Sequence, residues 1–501
     1  RIMNSDMLEE IWSSPAAVAT VVVALGVVLQ VVLGQFRGRL ASYPGDPIPE
    51  SQKIRRKPKF KAHAPRRVEA GWQPQVEVQL KEGLLPHKVA GQQVWVFSNT
   101  NGATSLDQAQ EQHVFEPEVN PNAGDCIFRA ARLRDWAGPR PSPAAPTTPL
   151  EAARKGFSFY QMIQCEDGQW AGDYGGPHFL LPGFVIAAYI TGHIDKILPG
   201  PHQRAIEAYL LNHQQEDGGW GTHVESPSTM FGSVLNYVTL RLVGAAVDSP
   251  ACIEGRKFMR EHGGALYAPS WAKFWLAVLG VYEWEGIAPV PPEMWLLPHW
   301  FPLHPGRFWC HCRMVYLPMC WLYARRFAFK AAADPVASSL RAELYPEGCT
   351  YSDIDWGAHV HSVANIDNYS PIHWVMRLLQ NFLIVYERLG PWRWLRDISS
   401  RFALEYMHSE DVESNYLTIG PVSKALHLLC SWVAAGGETD PKSAAESGPF
   451  QAHVARVPSY LWVAEDGMKA QGYNGSMAWD TAFAIQAVEE AGLVSEFPEM
   501  S

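Results

Sequence analysis

Cysteine is scarce and irregularly placed, with eight residues along 501 and no repeating interval between them. This pattern argues against a disulfide framework and indicates reduced thiols that face the cytosol. The sequence also lacks an excess of positive charge, because its formal net charge is −10. Nucleic-acid-binding domains usually carry a basic face, so nucleic acid is not an expected partner. Cys310, His311 and Cys312 have no second ligand pair at a suitable spacing, which argues against zinc.

Charged residues are absent between Ile11 and Phe36. The stretch Pro15–Gly34 is almost entirely Ala, Val, Leu and Gly, and it is long enough to span a bilayer as a helix. We therefore predict a membrane anchor over residues 1–40, with a signal peptide or a buried core helix as alternatives. Residues 41–82 are basic and rich in proline, and they read as a flexible tether or a disordered spacer. Basic residues follow the anchor, and the basic end of a membrane-spanning helix usually stays in the cytosol. We therefore predict that the rest of the chain faces the cytosol.

The sequence as a whole is rich in aromatic residues, with 20 Trp, 18 Tyr and 21 Phe. Such a content suits a core, and it equally suits a large apolar ligand site. Residues 83–137 begin the folded region, and the Pro-rich segment 138–149 is predicted to be a linker. Residues 150–501 are expected to be helical. Their apolar faces predict helices at Leu150–Gln164, Phe184–Gly192, Arg204–His213, Met230–Leu242, Trp271–Tyr282 and Val422–Val433.

An internal repeat ends two of these predicted helices. Gln164-Cys-Glu-Asp-Gly-Gln-Trp170 and Gln214-Gln-Glu-Asp-Gly-Gly-Trp220 lie fifty residues apart. We predict that the Gln caps a helix end, that Asp-Gly forms the turn, and that the Trp packs over the next helix. The repeat is therefore a structural device rather than a catalytic one.

The repeat resembles the QW motif of triterpene cyclases, and longer stretches resemble the oxidosqualene cyclases that form cycloartenol. These stretches are GDYGGPHFLLPG (172–183), NHQQEDGGWGTHVESPSTMFGSVLNYVTLRLVG (212–244), HPGRFWCHCRMVYLPM (304–319) and EDGMKAQGYNGSMAWDTAFAIQA (465–487). The resemblance implies an all-α fold, an α/α barrel (toroid) with QW repeats whose second barrel is incomplete here. It also implies cyclisation of (3S)-2,3-oxidosqualene to a sterol precursor, most specifically cycloartenol, without metal or organic cofactor.

Carried over residue by residue, the resemblance implies a substrate cavity lined by aromatic side chains. Read without it, these aromatic residues would be ordinary core. Tyr473 is the most informative, because the resemblance implies Tyr at this position in cycloartenol-forming enzymes and Thr in lanosterol-forming ones. The implied substrate-binding residues are Tyr174, Trp271, Trp309, Tyr316, Tyr473 and Trp479.

His311 is the implied catalytic residue in this chain, placing the last cation and accepting its proton. The alternative is a core histidine bonded to the backbone. The segment Trp295–Trp309 resembles the family's membrane-facing substrate entrance, with a Pro-rich loop packed inside the barrel as the alternative. The resemblance thus implies oxidosqualene and the lipid bilayer as partners. It places the protein at the endoplasmic reticulum membrane or a lipid droplet.

The sequence departs from the family in one respect that bears on activity. The initiating acid of the family is the Asp of a DCTAE-type motif, which does not occur in these 501 residues. Asp125-Cys126 is followed by Ile127-Phe128-Arg129 and is no substitute. We therefore expect a chain truncated before the acid motif and inactive as given. A non-catalytic, membrane-anchored triterpenoid-binding or scaffold protein is the alternative function. A prenyltransferase-like toroid would need zinc ligands that cannot be placed.

Overall fold

The computed structural model describes residues 58–61, 65–75, 94–98, 104–122, 124, 126–165, 168–170, 172–301, 304–368, 372–472 and 476–500. The anchor predicted over residues 1–40 and most of the predicted tether lie outside these ranges. Within them, no helix is both long and apolar enough to cross a membrane.

Helices dominate the described residues, as predicted, and the strands form three two-stranded antiparallel sheets. The helices are α1 (Ser105–Gln112), α2 (Cys126–Asp135), α3 (Pro149–Ile163), α4 (Leu180–Ile190), α5 (Ile194–Ile197), α6 (Gly200–Asn212), α7 (Met230–Leu242), α8 (Pro250–Glu261), α9 (Ser270–Val278), α10 (Cys310–Ala324), α11 (Pro335–Glu343), α12 (Trp374–Leu389), α13 (Arg393–Glu413), α14 (Pro421–Ala434), α15 (Pro441–Glu446), α16 (Gly448–Arg456) and α17 (Ser476–Glu490). The strands are β1 (Trp72–Gln75), β2 (Val94–Phe97), β3 (Trp220–Gly221), β4 (Ser228–Thr229), β5 (Leu461–Ala464) and β6 (Gly467–Ala470). Strand β1 pairs with β2, β3 pairs with β4, and β5 pairs with β6.

All six helices predicted from apolar periodicity are present. Helix α7 has the predicted bounds, and the other five differ by a few residues at one or both ends. The helix predicted over Trp271–Tyr282 ends at Val278, because Gly280 adopts a φ of +74° and the backbone leaves the helical path there. Residues 136–148 contain neither helix nor strand, and Thr148 caps α3 by accepting from the Glu151 N–H.

The core is built around helices that are buried on nearly every side. Helices α4, α7, α9 and α14 expose few of their residues. Helix α4 packs against α7 and α14, and α14 also packs against α10. A helix that is apolar all round is stable only inside a protein, so these helices form the centre of the packing. A smaller apolar cluster joins α3 to α17 through residues that include Ile163, Trp170 and Val488.

The chain divides into two compact units. One comprises Arg1–Ile54 and Asn368–Trp392, and its described helix is α12. The other comprises Arg55–Asp367 and Arg393–Ser501 and contains every other described helix and strand. The domain boundaries drawn from the sequence remain predictions.

The two repeated turns share the conformation of one glycine and one hydrogen bond. Gly168 and Gly218 adopt φ values of +89° and +87°, the left-handed region that favours glycine. In each turn the side-chain amide of the preceding glutamine, Gln164 or Gln214, donates to the carbonyl of that glycine at 2.8 Å. The sequence repeat is therefore also a structural repeat.

Each tryptophan satisfies one carbonyl at the end of the helix before its turn. The Trp170 indole N–H donates to the Tyr160 carbonyl at 2.9 Å, and the Trp220 indole N–H donates to the Leu210 carbonyl at 2.8 Å. Both carbonyls lie in the last turn of the preceding helix, where no backbone donor is available. The predicted capping role holds for Gln164, the C-cap residue of α3, whose backbone N–H donates to the Gln161 carbonyl. It does not hold for Gln214, because His213 is the C-cap residue of α6. The predicted packing of Trp220 is present, because its ring lies against Gly255 of α8.

The glutamines connect each turn to a neighbouring element. Gln214 donates to the Ala251 carbonyl in the first turn of α8 at 2.8 Å. Gln164 donates to the Glu499 carbonyl at 3.0 Å. Each turn thus joins three segments through one Gln and one Trp.

Candidate active site

The predicted site residues on α9 and α10 are in contact. The Trp271 indole N–H donates to the Tyr316 hydroxyl at 3.3 Å, and the ring centroids are 6.1 Å apart in an edge-to-face arrangement. The ring centroids of Phe308 and Tyr316 are also 6.1 Å apart. Burial raises the pKa of Tyr316, so its hydroxyl remains protonated near neutral pH. The three rings form a neutral aromatic surface.

Trp309 and His311 form a second pair where α10 begins. Their ring centroids are 4.6 Å apart. Trp309 is 69% exposed, whereas His311 is half-buried. A Cβ placed on Gly420, the residue before α14, would lie 3.6 Å from Nδ1 of His311. The first turns of α10 and α14 therefore meet at this histidine.

The Cys310-His311-Cys312 sequence is not part of a larger ligand cluster in the described residues. Across the ranges given above, no group of three or more His, Cys, Asp or Glu side chains is arranged to hold a metal ion.

Tyr174 lies at the contact between the DYGGP segment and the residues after β6. Its backbone N–H donates to Oε1 of Gln471 at 3.3 Å, and its carbonyl accepts from the Gly472 N–H at 3.2 Å. The side chain itself is 63% exposed. Tyr473 follows Gly472 directly but lies outside the described residues, so its predicted position stays a prediction.

Trp479 lies on α17 and is 58% exposed. Its ring is 5.5 Å from that of Phe483, which is also exposed. A groove of about 430 Å³ between α3 and α17 includes Phe157, Phe483 and Ala487 in its lining. The structure thus places the described site residues in a Trp271–Tyr316 group, a Trp309–His311 group, and separate positions for Tyr174 and Trp479.

The segment Trp295–Trp309 contains two short 3₁₀ turns, and its tryptophans have different surroundings. Trp295 packs against the core, whereas Trp300 is 74% exposed. Residues 302 and 303 lie outside the described ranges. The exposed part suits a membrane surface, and the packed part agrees with the alternative of a loop held against the protein.

Helix α12 was not among the predicted functional elements. It exposes Trp374, Met376 and Leu389. Apolar and basic residues at helical spacing in WVMRLLQNFLIVYERL are the signal that could have indicated an interfacial helix.

Lys273, two residues after Trp271 on α9, is a buried cation that the sequence did not reveal. Its ammonium group donates to the carbonyls of His359 at 2.6 Å and Ser362 at 2.8 Å. Burial lowers the pKa of Lys273 to about 7. These two hydrogen bonds hold the loop after α11 against α9. The sequence around a single lysine contains no pattern that predicts such a contact.

This pKa predicts a specific pH dependence of stability. The folded-state pKa of Lys273 lies below the ordinary value of 10.5, so between pH 10.5 and 7 the unfolded state binds the proton more tightly than the folded state. The free energy of unfolding therefore falls as the pH falls from 10.5 towards 7. Between pH 7 and 9 the unfolding free energy of the wild type should rise, relative to Lys273→Met, by up to about 1.4 kcal/mol per pH unit. Thermal unfolding at both pH values measures this. Exposed Lys257→Met is the control, and a pH-independent difference for Lys273→Met would contradict the assignment.

Comparison with known proteins shows which family the chain resembles. The profile of the squalene-hopene cyclase N-terminal domain matches residues 158–443. The chain is 40% identical to cycloartenol synthase from Dictyostelium discoideum, over 80% of this chain and 55% of that protein. It is 47% identical to human lanosterol synthase, over 69% and 45%, and 42% identical to alpha-onocerin synthase LCD from Lycopodium clavatum, over 82% and 54%.

The chain therefore belongs to the oxidosqualene cyclase family. Its fold class, the α/α toroid of terpene cyclases, is confirmed by this membership and by the helical content of the described residues. The chain spans about half the length of the curated relatives it matches.

Proposed function

We propose that this chain forms part of an oxidosqualene cyclase that converts (3S)-2,3-oxidosqualene into a sterol precursor, cycloartenol. The observation that carries the proposal is the pairing of Trp271 on α9 with Tyr316 on α10, together with the Trp309–His311 pair at the start of α10. These residues belong to stretches that match the family profile. Substrate and product are isomers, so the reaction needs no redox cofactor.

The chemistry explains why aromatic rings are needed. Opening the epoxide with an acid starts a series of carbocations, and each cation must be stabilised without offering a nucleophile that would trap it. The face of an aromatic ring does this, with about 0.5 to 2 kcal/mol per cation-π contact. Trp271 and Tyr316 supply such faces, and the Tyr316 hydroxyl stays neutral. Exclusion of water then keeps the cations from being hydrated.

His311 is the residue of this group that can accept a proton. An imidazole nitrogen can take up a proton through its lone pair, and the ring next to Trp309 would remove the proton that ends the cation series. The initiating acid is not supplied by the 501 residues, which contain no DCTAE motif. A polypeptide of these residues alone should therefore fail to convert oxidosqualene.

A membrane is the proposed source of this substrate, because oxidosqualene is apolar and partitions into lipid. Exposed Trp300 and Trp309 on one unit, and the exposed apolar residues of α12 on the other, suit contact with the bilayer interface. We propose attachment to the endoplasmic reticulum membrane or a lipid droplet, with the catalytic region facing the cytosol.

Expression of the complete open reading frame in a yeast strain that lacks its own cyclase tests the proposed function. Such cells accumulate oxidosqualene, and gas chromatography with mass detection of their lipids identifies any new triterpene. Cycloartenol as the main product supports the proposal in full. Another triterpene would retain the cyclase activity and contradict the product assignment. Unconverted oxidosqualene, with the protein expressed and folded, would favour the non-catalytic binding or scaffold alternative.

Tyr473→Thr in the same open reading frame should change the product. The smaller side chain opens space beside the final cation and moves a hydroxyl, and a shift of about 1.4 kcal/mol between two deprotonation barriers changes their ratio tenfold. We expect less cycloartenol and the appearance of lanosterol-type or earlier deprotonation products. Tyr406→Thr, at an exposed position on α13, is the control. A cycloartenol-only profile from Tyr473→Thr would show that this position does not control termination.

A further inference from the structure

A cluster of buried charged residues includes Asp173, the residue directly before Tyr174. Lys469 on β6 places its ammonium nitrogen 3.0 Å from Oδ2 of Asp466 and 3.2 Å from Oδ2 of Asp173. His213 Nε2 is 2.9 Å from the same Asp466 oxygen. We call Asp173, Tyr209, His213, Asp466 and Lys469 the Lys469 cluster. Its members come from the DYGGP segment, the end of α6 and the hairpin formed by β5 and β6.

The charge states of the cluster follow from its surroundings. Burial alone would lower the pKa of Lys469, but Asp173 and Asp466 outweigh it and hold the pKa well above the ordinary value. Burial lowers the pKa of His213 far below 6.5. The lysine is therefore charged, the histidine is neutral, and one cation is shared by two carboxyl groups. Burial raises the pKa of Asp466 to about 6, so this carboxyl carries less than a full charge near that pH.

Such a cluster is a poor means of gaining stability. Taking each ion out of water is costly, and replacing a buried ion pair with apolar residues is often neutral or stabilising. A buried ionic group can instead fix the register of the segments that it joins.

The backbone around Tyr174 is shaped to fit this lysine. A Cβ on Gly175 would lie 2.8 Å from Cδ of Lys469 and 2.9 Å from Oδ2 of Asp173, so any larger residue would collide with the lysine stem. On the other side, Gly467 begins β6 against Tyr209 of α6, where a Cβ would lie 2.5 Å from the Tyr209 backbone nitrogen. The lysine thus fills the space between the DYGGP segment and the hairpin.

The same two segments carry two proposed substrate-binding residues. Tyr174 follows Asp173, and Tyr473 lies four residues after Lys469. Between them, the Tyr174 backbone is hydrogen-bonded to Gln471 and Gly472. Any slip of the hairpin relative to the DYGGP segment would therefore move Tyr174 relative to the residue directly before Tyr473.

We propose that Lys469 is a positioning residue, which through Asp173 and Asp466 fixes the register of the DYGGP segment on the β5–β6 hairpin and so sets the position of Tyr174 relative to Gly472. Its importance for product choice rests on the proposed function. Its effect on the register does not, and the two can be measured separately.

The test compares four forms of the complete protein: wild type, Lys469→Met, Lys469→Met with Asp173→Asn, and Arg241→Met. The double variant removes one charge of each sign, so it remains informative if Lys469→Met alone fails to fold. Arg241 forms another buried ion pair, with Glu343 at 2.9 Å, and is the matched control. Amide hydrogen exchange is measured in peptides covering residues 172–178 and 468–474, together with the triterpene products.

We expect exchange at the Tyr174 and Gly472 amides to become about tenfold faster in the folded Lys469 variants, because local opening is no longer opposed. The minor products should increase severalfold relative to total product. Arg241→Met should alter thermal stability and neither of these readouts. Unchanged exchange in the double variant would overturn the proposal.

Two mixed outcomes are also decisive. Faster exchange with an unchanged product ratio, in an active protein, would overturn the link to product choice and leave the cluster a purely structural contact. Faster exchange in a protein whose wild type makes no triterpene would reject the proposed function while supporting the register role.

Discussion

Replacing Trp220 with alanine should lower the free energy of unfolding by about 4 kcal/mol, the usual loss for a large aromatic side chain removed from a core. Trp220 is fully buried, its indole N–H donates to the Leu210 carbonyl, and its ring lies against Gly255. Alanine leaves a cavity and removes the indole donor to the Leu210 carbonyl at the end of α6. For a unit of this size the melting temperature should fall by about 5 °C, given roughly 2 cal/mol/K of unfolding entropy per residue.

Two further variants separate the causes of this loss. Trp220→Phe keeps most of the ring but not the N–H, so it should lose about 1 to 2 kcal/mol, as expected for an unsatisfied buried acceptor. Trp300→Ala, at an exposed position, should have little effect. Thermal unfolding followed by circular dichroism measures all three. A melting temperature for Trp220→Ala within 1 °C of the wild type, below the roughly 5 °C predicted, would show that the repeated turn does not support the fold.

His311→Ala should reduce turnover of oxidosqualene by about 100-fold in the complete enzyme, at the lower end of what a general base contributes. Alanine removes the only lone pair that the Trp309–His311 pair offers, so cations persist and leave by other routes. The remaining product should be enriched in incompletely rearranged triterpenes. Because His311 is half-buried at the start of α10, folding should be little affected.

His408→Ala, an exposed position on α13, is the matched control and should retain full turnover. Initial rates at saturating substrate, with products resolved by gas chromatography, measure the effect. Wild-type turnover and an unchanged product profile from His311→Ala would remove this residue from the reaction.

The helices could be predicted from sequence because each presents an apolar face at helical spacing. The pattern in Met230–Leu242 identified both ends of α7, since Thr229 caps its start and most of the helix is buried. The contact between Trp271 and Tyr316 could be anticipated only through the family resemblance, because neither residue stands in a pattern that distinguishes a ligand site from a core.

The buried charges could not be predicted, because their partners are distant in sequence. His213 and Asp466 are 253 positions apart, and each looks like an ordinary surface residue when read alone. The capping role of the tryptophans was missed for a related reason. A Gln before a turn suggests a cap locally, whereas the indole reaches a carbonyl ten residues earlier only after the chain has reversed.

The most direct test of the account is conversion of (3S)-2,3-oxidosqualene by the purified product of the complete open reading frame, in detergent with a metal chelator present. The account predicts formation of a cyclic triterpene, because the reaction is an acid-initiated isomerisation carried out by side chains alone. A verified lanosterol synthase, assayed in the same detergent, establishes that substrate is available. Unchanged oxidosqualene with the folded protein, while that control turns over, would contradict the account.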